Sequence, residues 1–120
     1  MRIKKLFLIF LFVGFIACDD IIEVVDISNE TVTIIAPVNG SVIDTTRVNF
    51  TWKAMEEAET YHLQVATPTF NEATQIVLDT VVTKTEVSKT LNNNNYEWRI
   101  KAKNSGYETV YTTQSFSVTD

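Results

Sequence analysis

The segment YEWRIKA at residues 96–102 alternates large apolar with charged side chains, and this period of two constrains the fold more than any other feature of the sequence. Successive side chains of an extended strand point to opposite faces, so the pattern predicts a strand with one buried face and one wet face. The alternation recurs at Val48 to Trp52 and at Tyr61 to Val65. No window long enough for an amphipathic helix shows a 3.6-residue apolar period. The chain beyond residue 30 is therefore expected to be all-β.

Short strands of this kind are predicted along the whole remainder of the chain. They cover residues 31–36, 48–52, 61–65, 76–81, 83–89, 96–102 and 109–118. Between the first two, Pro37 to Gly40 predicts a turn, because Pro presets one dihedral and Asn-Gly accepts positive φ. In the third strand, His62 and Gln64 are expected to face solvent. About seven antiparallel strands of this length are typical of an immunoglobulin-like β-sandwich.

A set of spaced aromatic and apolar residues resembles the fibronectin type III domain. The set consists of Trp52, Tyr61-x-Leu63-x-Val65, Leu91 and Tyr96-x-Trp98-x-Ile100-x-Ala102-x-Asn104. The resemblance covers residues 31 to 119 and assigns 31–120 to one domain. It implies that Trp52 and Leu91 are buried and that the Tyr96 hydroxyl clamps the preceding loop. Asn92 to Asn95 replace the Pro-Gly turn that is usual in that family.

The first 17 residues have the pattern of a secretory signal peptide, because a short cationic region precedes the apolar run at residues 6–17. The order Phe15-Ile16-Ala17-Cys18 resembles the lipobox of bacterial lipoproteins. The resemblance implies removal of residues 1–17, a diacylglycerol on the Cys18 thiol, and acylation of the new amine. The partner of Cys18 would then be a membrane. A transmembrane anchor and a free Cys18 thiol are the weaker interpretations.

Residues 18–30 are expected to comprise the lipidated cysteine and an acidic tether, since 19–30 contain five acids and no base. Acidic residues after the lipidated cysteine resemble surface-export signals of one phylum of Gram-negative bacteria. That resemblance implies the cell outer membrane, with exposure at the surface. A simple solvated spacer remains the alternative.

Composition excludes several classes of function. Without residues 1–17 the chain carries 7 basic and 15 acidic residues, a formal charge of −8, which argues against nucleic acid. No glycine-rich phosphate cradle occurs, and one His with one Cys provides too few ligands for zinc. We expect no cofactor, no metal and no enzymatic activity. An enzyme would need His62 in a pocket beside an acid.

Candidate ligand contacts are three aromatic residues outside the predicted inward register, Phe70, Tyr107 and Tyr111, together with Gln64. Exposed on one face, these rings would stack on sugar or meet a protein partner; packing beneath a loop is the alternative. Thr45 and Thr80 follow aspartates in triplets that resemble bacterial O-glycosylation sites.

Two functions remain open at this stage. One is a lipid-anchored, non-enzymatic module that binds or scaffolds at the outer membrane. The other is a carbohydrate-binding accessory lipoprotein of a polysaccharide-uptake system. Neither the ligand nor the partner is identified by the residues.

Overall fold

The computed structural model of this protein describes residues 23–120. The signal segment, its cleavage site and Cys18 lie outside the described residues. The described part contains eight strands: β1 Ile34–Ala36, β2 Ser41–Ile43, β3 Arg47–Trp52, β4 Thr60–Thr67, β5 Gln75–Val82, β6 Glu86–Thr90, β7 Asn94–Lys103 and β8 Thr112–Val118. Within residues 23–120, no helix has the length and apolarity needed to cross a membrane.

The strands form two sheets that enclose one core. One sheet has the order β1-β3-β6, and the other has the order β2-β8-β7-β4-β5. All pairs are antiparallel except β2 with β8, which are parallel. The all-β sandwich is therefore confirmed, with eight strands instead of about seven. The sequence reading missed β2 because three residues, with Val42 left 70% exposed, show no usable alternation.

The core is built from the inward residues of both sheets, as the alternation predicted. Trp52 and Trp98 are its largest members, and both are almost fully buried. Phe50 packs edge-on against Trp98 with ring centroids 5.0 Å apart, and Trp52 packs on Tyr61 at 5.6 Å. Phe116 and Val118 of β8 are also buried. These aromatic contacts join the sheets where other sandwiches use a disulfide.

The first and last strands begin later than predicted. β1 starts at Ile34 instead of residue 31, and β8 starts at Thr112 instead of residue 109. At the last strand, Ile100 is paired with Thr112, while the Thr109 amide donates to the Ala102 carbonyl at 2.9 Å. Ala102 is two residues after Ile100, but Thr109 is three residues before Thr112. The β8 side therefore has one extra residue, which interrupts the regular pairing.

The folded unit extends further toward the N-terminus than the expected boundary at residue 31. Ile27 is fully buried and Val32 is 2% exposed, and both belong to the main hydrophobic cluster. A turn follows Ile27, since the Glu30 amide donates to its carbonyl at 3.0 Å. Ile27 therefore packs with the sandwich, while Asp26 and Glu30 beside it are exposed. The tether itself stays a prediction.

The tyrosine clamp implied by the family resemblance is present. The Tyr96 hydroxyl donates to the Asn92 carbonyl at 2.7 Å, and Leu91 is 4% exposed. Asn93 pairs with the backbone of Asp120 in both directions, at 2.9 and 3.3 Å. The asparagine run thus replaces a Pro-Gly turn by using side-chain amides to hold the loop and the C-terminal residue together.

The predicted turn between β1 and β2 is confirmed. Gly40 has φ of +83°, and the Ser41 amide donates to the Val38 carbonyl at 3.0 Å. Asn39 accepts from the backbone amide of Ser115 at 2.8 Å, which fastens the turn to β8. A non-glycine residue at position 40 would meet the steric cost of the left-handed region.

Candidate functional site

Polar and aromatic side chains form a connected group on the outer face of the five-stranded sheet, here called the outer-face cluster. Its members are His62, Gln64, Phe70, Asp79, Arg99 and Tyr111. The strand register brings them together, because Gln64 on β4 lies opposite both Asp79 on β5 and Arg99 on β7. The polar positions of the alternations in β4 and β7 therefore meet on one face.

Arg99 lies between two aromatic rings. Its guanidinium carbon is 4.1 Å from the centroid of the Phe70 ring and 4.3 Å from that of Tyr111. Its Nε donates to Gln64 Oε1 at 2.8 Å. Stacking of this kind is favourable for a weakly hydrated guanidinium, and here it fixes the side chain in one orientation. Phe70 and Tyr111 thus each use one ring face on Arg99.

His62 links Asp79 to Tyr111. Its Nε2 lies 2.6 Å from Asp79 Oδ1, and its Nδ1 lies 3.2 Å from the Tyr111 hydroxyl. An ionised carboxylate only accepts, so Nε2 carries the proton toward Asp79, and Nδ1 forms the second hydrogen bond of the ring with the Tyr111 hydroxyl. The hydrogen bonds from His62 and then Gln64 hold the pKa of Asp79 below its usual 3.8.

This arrangement places a histidine beside an acid, which is half of what an enzyme would require. The other half is a cleft, and the pair lies on a sheet face where the Asp79 side chain remains 54% exposed. His62 does not face open solvent as expected, since its side chain is only 23% exposed. Among residues 23–120, no group of three His, Cys, Asp or Glu is arranged to hold a metal ion.

A shallow groove of about 510 Å³ opens beside the cluster. Its lining combines the ring of Phe70 with the charged groups of Glu72, Glu97 and Arg99. The Phe70 backbone amide donates to Glu97 Oε1 at 2.9 Å, which ties the β4–β5 loop to β7. The groove offers hydrogen-bonding groups of both signs and one aromatic edge, so it suits a polar, uncharged ligand better than an anion or cation.

Two of the three predicted aromatic contacts come together. Phe70 and Tyr111 both join the outer-face cluster and are half-buried. Tyr107 lies in a separate turn and is 41% exposed. Sequence reasoning did not assign Arg99 or Asp79 to a site, although each has an outward position in an alternating strand. Their pairing across strands depends on register, which no local pattern specifies.

The two predicted glycosylation threonines have different surroundings. Thr45 lies in an exposed bend, where its hydroxyl donates to the Arg47 carbonyl at 3.1 Å. Thr80 is half-buried in β5, opposite the buried Leu63. Access to a modifying enzyme is therefore better at Thr45. Use of either residue stays a prediction.

Asn104 organises the end of the sandwich where the chain enters, here called the entry end: residues 23–26, the loop 53–59 and the turn 104–107. Its Nδ2 donates to the carbonyls of Val25 and Glu57, at 2.9 and 3.1 Å. Its Oδ1 accepts from the amides of Gly106 and Tyr107, at 3.0 and 2.9 Å. One side chain thus connects all three segments.

Comparison with solved structures identifies the fold. A Fn3-like protein from Clostridium thermocellum is 18% identical, with a TM-score of 0.53 over 76% of this chain and 94% of its own. The fibronectin(III)-like modules of Clostridium thermocellum CbhA are 13% identical, with a TM-score of 0.53 over 72% of this chain and 94% of their own. A fibronectin type III domain of human KIAA0970 protein is 13% identical, with a TM-score of 0.52 over 73% of this chain and 72% of its own.

At these identities the comparisons establish the fold alone. The described chain is a fibronectin type III-like β-sandwich, as the spaced residues from Trp52 to Asn104 predicted. No family model matches the sequence, and no curated protein matches it either. Function must therefore be argued from the residues of this chain.

Proposed function

We propose that this protein is a lipid-anchored, non-enzymatic β-sandwich module that binds or scaffolds other molecules at the bacterial outer membrane. The observation that carries this proposal is the position of the folded unit. The Val25 carbonyl, only seven residues after Cys18, is already bound to the sandwich through Asn104. With Cys18 acylated, so short a connection would hold the sandwich at the membrane.

The fold supports a non-catalytic role, since modules of this kind generally lack catalysis. The His62–Asp79 pair adds a physical reason. Both ring nitrogens of His62 are already hydrogen-bonded, Nε2 with Asp79 and Nδ1 with the Tyr111 hydroxyl. The pair also lies on an open sheet face. A general base needs a substrate proton within reach and a water-poor surrounding to shift its pKa. The outer-face cluster fits a structural or ligand-contacting role instead.

In this proposal the protein acts by presenting its loops and the outer-face cluster to partner molecules. Acyl chains on Cys18 would hold the protein by burying methylene groups at about 0.8 kcal/mol each, which makes attachment with two or three chains effectively permanent. The sandwich then displays its loops and the outer-face cluster to partners. Its rigidity comes from the aromatic contacts across the core, so that the displayed side chains keep fixed positions.

A second candidate function is a carbohydrate-binding accessory of a polysaccharide-uptake system. The groove beside Phe70 favours it, because Glu72, Glu97 and Arg99 offer donors and acceptors suited to hydroxyl groups. The positions of the Phe70 and Tyr111 rings argue against this carbohydrate-binding role. Phe70 and Tyr111 both stack on Arg99, so they do not form the open pair of rings on which a sugar would stack.

Mass spectrometry of the native protein from bacterial membranes tests the anchor. We expect a chain that begins at Cys18 and carries the mass of acyl groups, and a Cys18→Ser variant in the soluble fraction. The control is thermal unfolding of both forms, which should coincide because position 18 precedes the residues that build the sandwich core. A processed chain with a bare thiol would overturn the proposal.

A glycan array separates the two candidate functions. Binding to a polysaccharide that is lost in Glu97→Gln and kept in Val42→Ser would favour the carbohydrate role. Val42 is the control because it is exposed and does not line the groove. No binding to any glycan would remove that role and leave the protein-binding module.

A further inference from the structure

Exposed apolar side chains lie together at the entry end. Val24, Val25 and Tyr107 are 37%, 46% and 41% exposed. The Val24 side chain lies against Gly106, next to Tyr107 in the chain, because a Cβ placed on Gly106 would lie 3.3 Å from Val24 Cγ1. The Asn104 side chain also binds the backbone carbonyl of Val25 and the backbone amide of Tyr107, so the three residues are neighbours at this end. Scattered apolar residues are ordinary on a protein surface, so a contact here is inferred from the chain that precedes these residues.

The length of chain before this surface limits what can cover it. Four residues, 19 to 22, lie between Cys18, the proposed site of lipid attachment, and Glu23. A fully extended chain advances at most about 3.5 Å per residue, so the Cα atoms of Cys18 and Glu23 lie within about 18 Å of each other. The entry end therefore stays close to the lipid headgroups in every conformation of that segment.

We propose that the entry end rests on the lipid surface, with Val24, Val25 and Tyr107 inserted among the headgroups. This inference rests on the proposed lipid anchor. Three partly exposed side chains are too few to bind a membrane alone. Once the anchor has made the contact intramolecular, the effective local concentration makes even a weak contact persistent.

Charge determines which lipid surface is favoured. The exposed carboxylates at the entry end are Glu23, Asp26, Glu56, Glu57 and Glu59. They outnumber Lys53 and the neighbouring Lys103, so negative charge prevails. Anionic headgroups repel such a surface, and each charge near the membrane counts by about 1 kcal/mol at low salt. The contact therefore prefers a zwitterionic surface.

The orientation has a consequence for the rest of the molecule. The loop 68–74 and Asp120 lie at the opposite end, here called the far end, because β4 runs from the entry end to that loop. Asn93 holds Asp120 there. With the entry end on the lipid, the groove beside Phe70 and the bend at Thr45 point away from the membrane, toward other molecules.

Nuclear magnetic resonance tests the contact directly. The chain from Cys18 to Asp120 is coupled through its single thiol to a maleimide phospholipid in phosphatidylcholine nanodiscs that contain a gadolinium-chelating lipid. We expect the amide signals of Gly106 and Tyr107 to be lost through paramagnetic relaxation, while those of Asn71 and Asp120 remain. Equal loss at both ends, or loss at the far end alone, would overturn the proposal.

Matched variants identify the responsible side chains. The double variant Val25→Ser with Tyr107→Ser should reduce the signal loss at the entry end to the level that the tether alone produces. The control, Val38→Ser with Val42→Ser, removes two valines elsewhere that are 52% and 70% exposed and should keep the full loss. Adding phosphatidylglycerol at low salt should reduce the loss, and salt should restore it. In nanodiscs without gadolinium, we vary the number of protein copies per disc. Signal loss that increases with this number would indicate contact between copies and would overturn the lipid contact.

Chemical coupling makes attachment independent of the cell. Failure of this experiment would leave the acylation of Cys18 untouched. A bare Cys18 thiol in the native protein would overturn the anchor without any nanodisc measurement.

Discussion

The side-chain amide of Asn104 lies 2.9 Å from the carbonyl oxygen of Val25, across 79 positions of sequence. This bond fastens the segment before the first strand to the turn that follows β7. The same amide also reaches the Glu57 carbonyl at 3.1 Å. The direction in which the chain leaves the sandwich toward Cys18 is therefore set by one asparagine.

Asn104→Ala should lower the free energy of unfolding by about 2 kcal/mol. It removes four hydrogen bonds at a half-buried position, and each contributes about 0.5 to 1.5 kcal/mol before water replaces part of the loss. Chemical denaturation measures the effect. Asn71→Ala, at an exposed asparagine, is the control and should change the midpoint little. Equal stability of the two variants would show that Asn104 does not hold the entry end.

Ile27→Ala should cost about 2 to 5 kcal/mol, because a fully buried isoleucine loses its packing and leaves a cavity. A chain that starts at residue 31 should lose at least as much. Thermal unfolding of both forms against the chain from residue 23 provides the measurement. Val25→Ala, at a half-exposed neighbour, serves as the control. A chain from residue 31 that melts like the longer one would contradict burial of Ile27.

Tyr96→Phe should lower the free energy of unfolding by about 0.5 to 1.5 kcal/mol, since it deletes the bond to the Asn92 carbonyl and leaves the ring in place. Urea unfolding at neutral pH measures the change. Tyr107→Phe makes the same chemical change at an exposed residue and should have no effect. If both substitutions behave alike, the clamp does not stabilise the fold.

Trp52→Ala should cost about 3 to 5 kcal/mol, which is a large share of the stability of a domain of this size. Trp52 is 2% exposed and packs on Tyr61. We expect loss of the cooperative thermal transition in circular dichroism. The exposed substitution Val42→Ala should leave that transition in place. A sharp transition near the original midpoint would mean that Trp52 contributes little to the core.

Asp79→Asn should remove a small, pH-dependent contribution to stability. The hydrogen bond from His62, then that from Gln64 and the charge of Arg99 lower the pKa of Asp79 from 3.8. A carboxyl whose pKa is lowered by folding stabilises above its unfolded pKa, and the contribution is lost as the pH falls through the folded value. Solvent screening at this exposed pair limits it to less than about 1 kcal/mol.

Urea midpoints measured from about pH 2 to 6 would show this difference between wild type and Asp79→Asn, largest above about pH 4 and vanishing at the acid end. Asp44→Asn, at an exposed aspartate of the β2–β3 loop, is the control. A difference that grows toward low pH would contradict the sign of the shift.

The sequence predicted the elements whose signal is local. Alternation at Tyr96 to Ala102 specified a strand and its buried face, and Trp52 and Leu91 followed from spacing that resembles a known family. The alternation of apolar and polar residues did not predict β2, because a strand of three residues is too short to show a period. It also failed at Ile27, because one apolar residue in an acidic segment carries no periodic signal.

The sequence by itself determined that the chain is a β-sandwich with a tryptophan-rich core, since strand period and side-chain volume are properties of neighbouring residues. Only the tertiary structure decided that Arg99 lies between Phe70 and Tyr111, that His62 meets Asp79, and that Asn104 holds Val25. Those contacts join residues far apart in the chain. They exist because strand register and sheet order bring distant side chains to one face, and no local pattern encodes that geometry.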